Sequence, residues 1–212
     1  MGKYPQSREF LKAFYKVQSK ITRKSLLGIA LFVEGLLLRF RGRGAESLGY
    51  FLQAGNILKK YGIKRPYLRV MLEMGGVYAD EGNHEKLQSH LRKIKKDITT
   101  YSAEDIYARW GYLEAYLEFL KGNFESALEI LNAQIMVSKD MELMEIIWQQ
   151  EFLLARIYEA NQQMEEAKLN YLASMETLKS IWDPLEKDLK KEYLKDPRRK
   201  QVFEESSKFL SS

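Results

Sequence analysis

The sequence predicts an all-α chain built as a stack of helix pairs, and three observations carry that expectation. Small residues recur at Gly35, Gly75, Ala115 and Ala155, each 40 positions after the last. The same step links Ser47, Leu87, Ala127 and Ala167, and also Phe51, Leu91, Leu131 and Tyr171. Only four prolines occur in 212 residues, and the apolar positions follow the three-and-four spacing of helices. A fixed period of this length marks a repeat architecture: one helical hairpin cannot cover its own apolar face, so copies stack.

Residues 7–20 read as half a repeat. Forty places before Ser47, Phe51 and Ala54 stand Ser7, Leu11 and Phe14, and Phe10, Leu11, Phe14 and Val17 form an apolar stripe. The absence of a first helix here points to excision from a longer protein, and Phe10 and Phe14 are expected to be exposed and to promote self-association. The first full pair is 28–67. Its segment 26–38 is the most apolar of the chain, but it is shorter than the roughly 20 residues of a membrane span and is interrupted by Glu34. Arg41-Gly42-Arg43-Gly44 lacks the Lys-Ser/Thr end of a phosphate-binding loop and reads as the turn inside this pair.

In the second pair, 68–107, Val70, Met74, Val77 and Tyr78 share a helical face before Gly82-Asn83, and Leu87, Leu91, Ile94 and Ile98 share one after it. For the third, 108–147, Ser102 with Asp105 offers a capping box. Its helix runs to Gly122-Asn123, where a left-handed turn suits glycine, and the chain returns over 124–134. The fourth pair is 148–187, broken near its end by Asp183-Pro184. The remainder, 188–212, completes closing helices over 185–194 and 198–210, the second opened by Asp196-Pro197.

Leu154-Ala155-x-x-Tyr158 with Glu165-Glu166-Ala167 and Tyr171, and Met74-Gly75-x-x-Tyr78 with Gly82-Asn83, Leu87 and Leu91, resemble tetratricopeptide (TPR) repeats. Gly122-Asn123-Phe124-Glu125-Ser126-Ala127-Leu128 matches the second half of the same signature. The pattern departs from the family at Glu118, where an aromatic is usual, at Glu34 and Glu114, where a large apolar residue is usual, and at Leu87 in place of Ala. Its period is 40 residues rather than 34. The resemblance covers residues 28–187 and implies a right-handed α-α superhelix. Units of this length, and the segment Tyr193-Leu194-Lys195-Asp196-Pro197-Arg198-Arg199, are similar to the repeat arrays of bacterial multidomain signalling and transcription regulators.

The resemblance also implies a concave wall made by the first helix of each pair. Carried over position by position, that wall comprises Arg39 and Phe40, then Arg69, Leu72 and Glu73, then Arg109, Tyr112 and Tyr116, then Phe152 and Arg156. Tyr and Arg are common interface anchors, so the expected occupant is a protein or peptide partner. The alternative for Tyr112, Tyr116 and Phe152 is packing between copies, because one residue of phase turns a side chain by about 100°.

Composition narrows the chemistry. With no cysteine, disulfides, thiol nucleophiles and cysteine-built metal sites are excluded, and a reducing cytoplasm is the expected location. No secretory signal is visible, and Gln6 spoils the myristoylation context of Gly2. His84 and His90 form no His-Glu-x-x-His arrangement and read as surface residues. Glu145, Glu151, Glu165 and Glu166 do not single out an acid–base pair, and the methionines read as core filling ahead of a promiscuous groove. No catalytic, metal-binding or cofactor-binding residue is assigned, and no membrane association is expected.

Charge is uneven: residues 1–100 hold 20 Lys plus Arg against 8 Asp plus Glu, and residues 101–212 hold 14 against 21. Arg39, Arg41, Arg43, Lys59-Lys60, Lys64-Arg65 and Arg92-Lys93-x-Lys95-Lys96 are therefore a candidate nucleic-acid patch. The plainer reading is cations at solvated helix ends. The leading expectation is a non-catalytic interaction module. Its alternatives are a sensory segment that answers a ligand by changing superhelix pitch, and nucleic-acid binding by the basic half.

Overall fold

A computed structural model describes residues 4–17, 24–101 and 103–209. Among them lie eleven helices and no strand. In order these are α1 (Tyr4–Val17), α2 (Ser25–Arg39), α3 (Gly44–Lys60), α4 (Lys64–Asp80), α5 (His84–Thr99), α6 (Glu104–Leu120), α7 (Phe124–Asp140), α8 (Met144–Ala160), α9 (Met164–Trp182), α10 (Lys187–Tyr193) and α11 (Pro197–Ser207). The helices α3, α5, α7 and α9 begin at 44, 84, 124 and 164, so equivalent elements recur at the 40-residue step. Consecutive helices pack on one another, which makes the chain a helical array.

Half of that step is itself a structural unit. Left-handed residues stand at Gly42 (φ 74°), Gly62 (68°), Gly82 (66°), Gly122 (79°), Glu142 (52°) and Gln162 (61°). After each, the next amide donates to the carbonyl five residues back, as in Arg43 to Leu38 (3.0 Å), Asn83 to Tyr78 (2.9 Å) and Gln163 to Tyr158 (2.9 Å). This is the long hydrogen bond of a Schellman cap, which satisfies carbonyls that the helix end leaves unpaired. From α3 to α9 the helices, mostly of 17 residues, are joined by three-residue turns except at the four-residue α5–α6 connection, which has no left-handed residue among its described residues.

The first helices of successive pairs touch: α2 packs on α4, α4 on α6, and α6 on α8. The second helices have no comparable contact with one another. A stack that is tight on one layer and splayed on the other curves toward the tight layer, so α2, α4, α6 and α8 form the inside.

The small-residue column lies where side chains must approach closely. A Cβ on Gly35 would come 2.5 Å from the Phe51 ring, and one on Gly75 would come 2.9 Å from Leu113 Cδ1. Ala115, Ala127, Ala155 and Ala167 are fully buried in the equivalent columns. The core runs on without a break because Tyr112 and Tyr116 join the cluster of α2–α6 to that of α6–α8, and Tyr158 joins the latter to the C-terminal cluster.

Several local expectations need correction. Phe14 is not exposed: with Leu11 it packs on Ala30 and Leu37 of α2, while the side chains of Phe10 and Val17 lie outside the described set. Ser102 of the expected capping box also lies outside the described residues, and Asp105 instead pairs with Arg65 at 3.0 Å. His90 is buried rather than on the surface. Its Nε2 donates to the Met71 carbonyl at 2.7 Å, and burial holds it below the usual imidazole range. No helix among the described residues is long and apolar enough to cross a membrane.

Candidate binding face

Because α4, α6 and α8 are equivalent, residues 40 apart face the same way. Arg69, Arg109 and Gln149 form one row, and Leu72, Tyr112 and Phe152 the next. Two adjoining cavities lie along these rows, one of about 300 Å³ and one of about 470 Å³, with Arg39, Tyr112, Trp148, Gln149 and Arg198 bordering both. Every residue expected on the wall borders at least one. The smaller takes Arg39, Phe40, Arg69, Leu72, Glu73, Arg109 and Tyr112, and the larger adds Tyr116, Phe152 and Arg156.

The protein's own C-terminus crosses this face. Asp196 accepts from the Arg198 amide at 3.0 Å and Pro197 occupies the first turn, which starts α11 with two arginines turned to the wall. Arg199 is 4% exposed; its Nη2 donates to both oxygens of Glu145 at 3.1 Å, and its Nη1 donates to the Tyr193 carbonyl at 3.1 Å. The same guanidinium lies 3.7 Å above the Tyr193 ring and 5.2 Å from the Phe40 ring centre. Glu145 also accepts from Trp148 Nε1 at 3.0 Å and from the Tyr193 hydroxyl at 3.1 Å. Pro197 packs so near Gly42 that a Cβ there would sit 3.0 Å from the ring. One short helix thus meets both the first and the fourth pair.

Charge is organised around Glu73. Arg39 hydrogen-bonds Glu73 and reaches Asp80 through Nε (3.1 Å) and Nη2 (2.8 Å), resting against Gly76, where any Cβ would collide with it. Burial pushes the Glu73 carboxyl up, but Arg39, Arg109, Arg198 and Arg69 together more than reverse this and hold it below its ordinary value. Asp196 follows the same balance, with Arg198 the main counterweight to burial. Arg109 is lowered to about 10 by burial and then by Arg69. Burial and Tyr116 push the Tyr112 phenol up, so it stays protonated and able to donate.

At the far end, Arg156 donates to the Tyr116 hydroxyl at 2.8 Å and stands 4.8 Å from the Phe119 ring centre. Tyr112 and Tyr116 meet edge-on at 5.8 Å, and Phe152 meets Tyr171 at 5.6 Å. Tyr112 and Tyr116 border the cavities and pack between copies, whereas Phe152 borders a cavity and packs on α9 of its own pair.

Part of the candidate basic patch is engaged within the protein. Arg39 belongs to the inner wall, Arg43 pairs with Glu46, Arg65 with Asp105, and Lys59 lies 3.9 Å from Asp97. Lys60, Arg92, Lys93, Lys95 and Lys96 stay exposed on the second helices. Met74 and Met175 fill core, Met136 and Met164 are exposed, and no methionine borders the two cavities. Among the described residues no group of three or more His, Asp or Glu is placed to hold a metal ion.

Sequence reasoning misses Glu145, Trp148, Arg198 and Arg199 as members of this face. The available signal was the arginine pair directly inside the Asp196-Pro197 helix start. No protein-family model matches the chain, and no curated protein matches it.

Proposed function

We propose that this chain is a non-catalytic interaction module, a right-handed TPR-like superhelix of the kind carried by larger cytoplasmic regulators of bacteria, whose concave wall binds a helical segment of a protein partner. The observation that supports it is α11. The wall already accommodates a helix, through a guanidinium over aromatic rings and a partly buried carboxylate, contacts that give interfaces both energy and geometry. The partner that fits is a helix opening with adjacent arginines, one for Glu145 and one for the field of Asp80 and Glu73 that already acts on Arg198. In this reading α11 is an internal stand-in. Its tether gives it an effective concentration of order millimolar, so a partner binds by displacing it.

A labelled peptide of residues 191–209 tests this. Arg199→Ala weakens the internal helix, and the peptide should bind this full-length variant about tenfold or more tightly than it binds the parent protein. Failure of the folded variant to bind the peptide would refute the reading. A second reading, a segment whose pitch responds to a small ligand, draws support from the cavity left beside α11.

A further inference from the structure

Five guanidiniums and two carboxylates, Glu73 and Glu145, border the smaller cavity. Three of the five are well bonded: Arg39 to Glu73 and Asp80, Arg198 to Asp196, and Arg199 to Glu145 and the Tyr193 carbonyl. Arg69 and Arg109 are not. The Nε of each is buried without a hydrogen-bond partner. Their nearest carboxylate oxygens lie 3.9 Å away on Asp105 and 3.7 Å away on Glu73, beyond hydrogen-bonding reach. Both acceptors are already held, Asp105 by Arg65 and Glu73 by Arg39. The two side chains are 29% and 19% exposed, so only the Nε–H of each is buried without an acceptor, which is costly.

Arg69 and Arg109 occupy equivalent positions on α4 and α6 and repel one another, which adds to the effect of burial on Arg109. An anionic oxygen placed between them would accept from both. Apart from Tyr112 and Gln149 the rest of the lining is mainly apolar, with Leu36, Leu72, Leu113, Ile146 and Trp148. A volume of about 300 Å³ matches the lower end of small-molecule sites.

We propose that this cavity binds a small organic anion, a carboxylate or phosphate monoester on a compact apolar body, with Arg69 and Arg109 donating to the head and Leu72, Leu113 and Trp148 covering the body. Arg198 and Arg199 border the same space, so an occupying anion also holds α11 to the wall. Only that last step rests on the ligand-responsive reading.

The test uses full-length protein titrated with phenyl phosphate, benzoate, inorganic phosphate and the neutral analogue benzamide, followed by calorimetry and thermal denaturation. Phenyl phosphate, benzoate or both should bind saturably and raise the melting temperature. Benzamide and inorganic phosphate should bind about tenfold or more weakly, since each lacks one half of the recognised group. Arg109→Gln should weaken the better anion by about tenfold or more, and Arg92→Gln, on the exposed face of α5, should not.

In the unsubstituted protein the Nε–Hε resonances of Arg69 and Arg109 should move on titration, which decides the matter if Arg109→Gln fails to fold. Absence of saturable anion binding, equal binding of benzamide or inorganic phosphate, or unchanged affinity in folded Arg109→Gln would overturn the proposal. An anion that binds yet leaves proteolysis of the C-terminal helix unchanged would remove the ligand-responsive reading and leave the site standing.

Discussion

Arg199, buried, and Glu145, partly buried, form a charge pair in which one guanidinium nitrogen donates to both carboxylate oxygens at 3.1 Å, tying α11 to α8. Removing Glu145 leaves the buried Arg199 with the Tyr193 carbonyl and with Asp196 at 3.9 Å, so the change costs a charged hydrogen bond, about 1.5–3 kcal/mol, rather than a whole uncompensated charge. Glu145→Ala should therefore lower stability by about that amount in urea denaturation. Glu145→Leu combined with Arg199→Met should lose much less than the sum of the single changes. Additive losses would show that the pair does not act as a unit.

The contact between Gly35 and Phe51 allows no extra atom. Gly35→Ala should cost about 1–3 kcal/mol through overpacking, because its new methyl would lie 2.5 Å from a ring that is fully buried. Phe51→Leu should relieve part of that loss when combined with Gly35→Ala. A double variant less stable than either single one would contradict this account.

Glu142 and Gln162 adopt left-handed backbone where four equivalent turns use glycine. A side chain there carries a conformational penalty of about 1–2 kcal/mol, partly offset by the greater freedom of glycine when unfolded. Gln162→Gly should therefore raise the urea midpoint, with a gain of about 0.5–1 kcal/mol. Gly122→Ala, the reverse change, should lower it.

Acidification should weaken the fold in two stages. His90 is held below its ordinary value of 6.5, so the unfolded chain takes up its proton first and stability begins to fall as pH drops below about 6.5. Glu73 and Asp196 also lie below their ordinary values, so their contribution is complete above about pH 5 and is lost as pH falls through the carboxylate range. Urea midpoints from pH 7 to 3 should show both stages, with His90→Gln removing the upper one and Glu73→Gln blunting the lower. A midpoint that does not change between pH 7 and 5 would contradict the assignment to His90.

The wall was legible because repetition makes it local knowledge: once Arg69 is placed on α4, Arg109 follows on α6, and Tyr112 and Phe152 follow Leu72. The 20-residue half-period was harder to see. Gly62 falls midway between Gly42 and Gly82, but Glu142 and Gln162 interrupt the glycine signature. His90 misleads because a polar residue beside Leu87 and Leu91 looks solvent-facing, whereas the Met71 carbonyl and the edge of Tyr78 receive it inside. The docking of α11 was out of reach. Arg199 and Phe40 belong to no common period, yet the fold of the chain brings them within 5.2 Å.

The bridge from α11 to Phe40 and Gly42 at one end and to Glu145 at the other works as a clasp on a coiled spring. While it is fastened, neither end can wander without moving the other. Were the ends to part on unfastening it, the helices themselves would stay whole, so the radius of gyration, rather than helical content, would record the change.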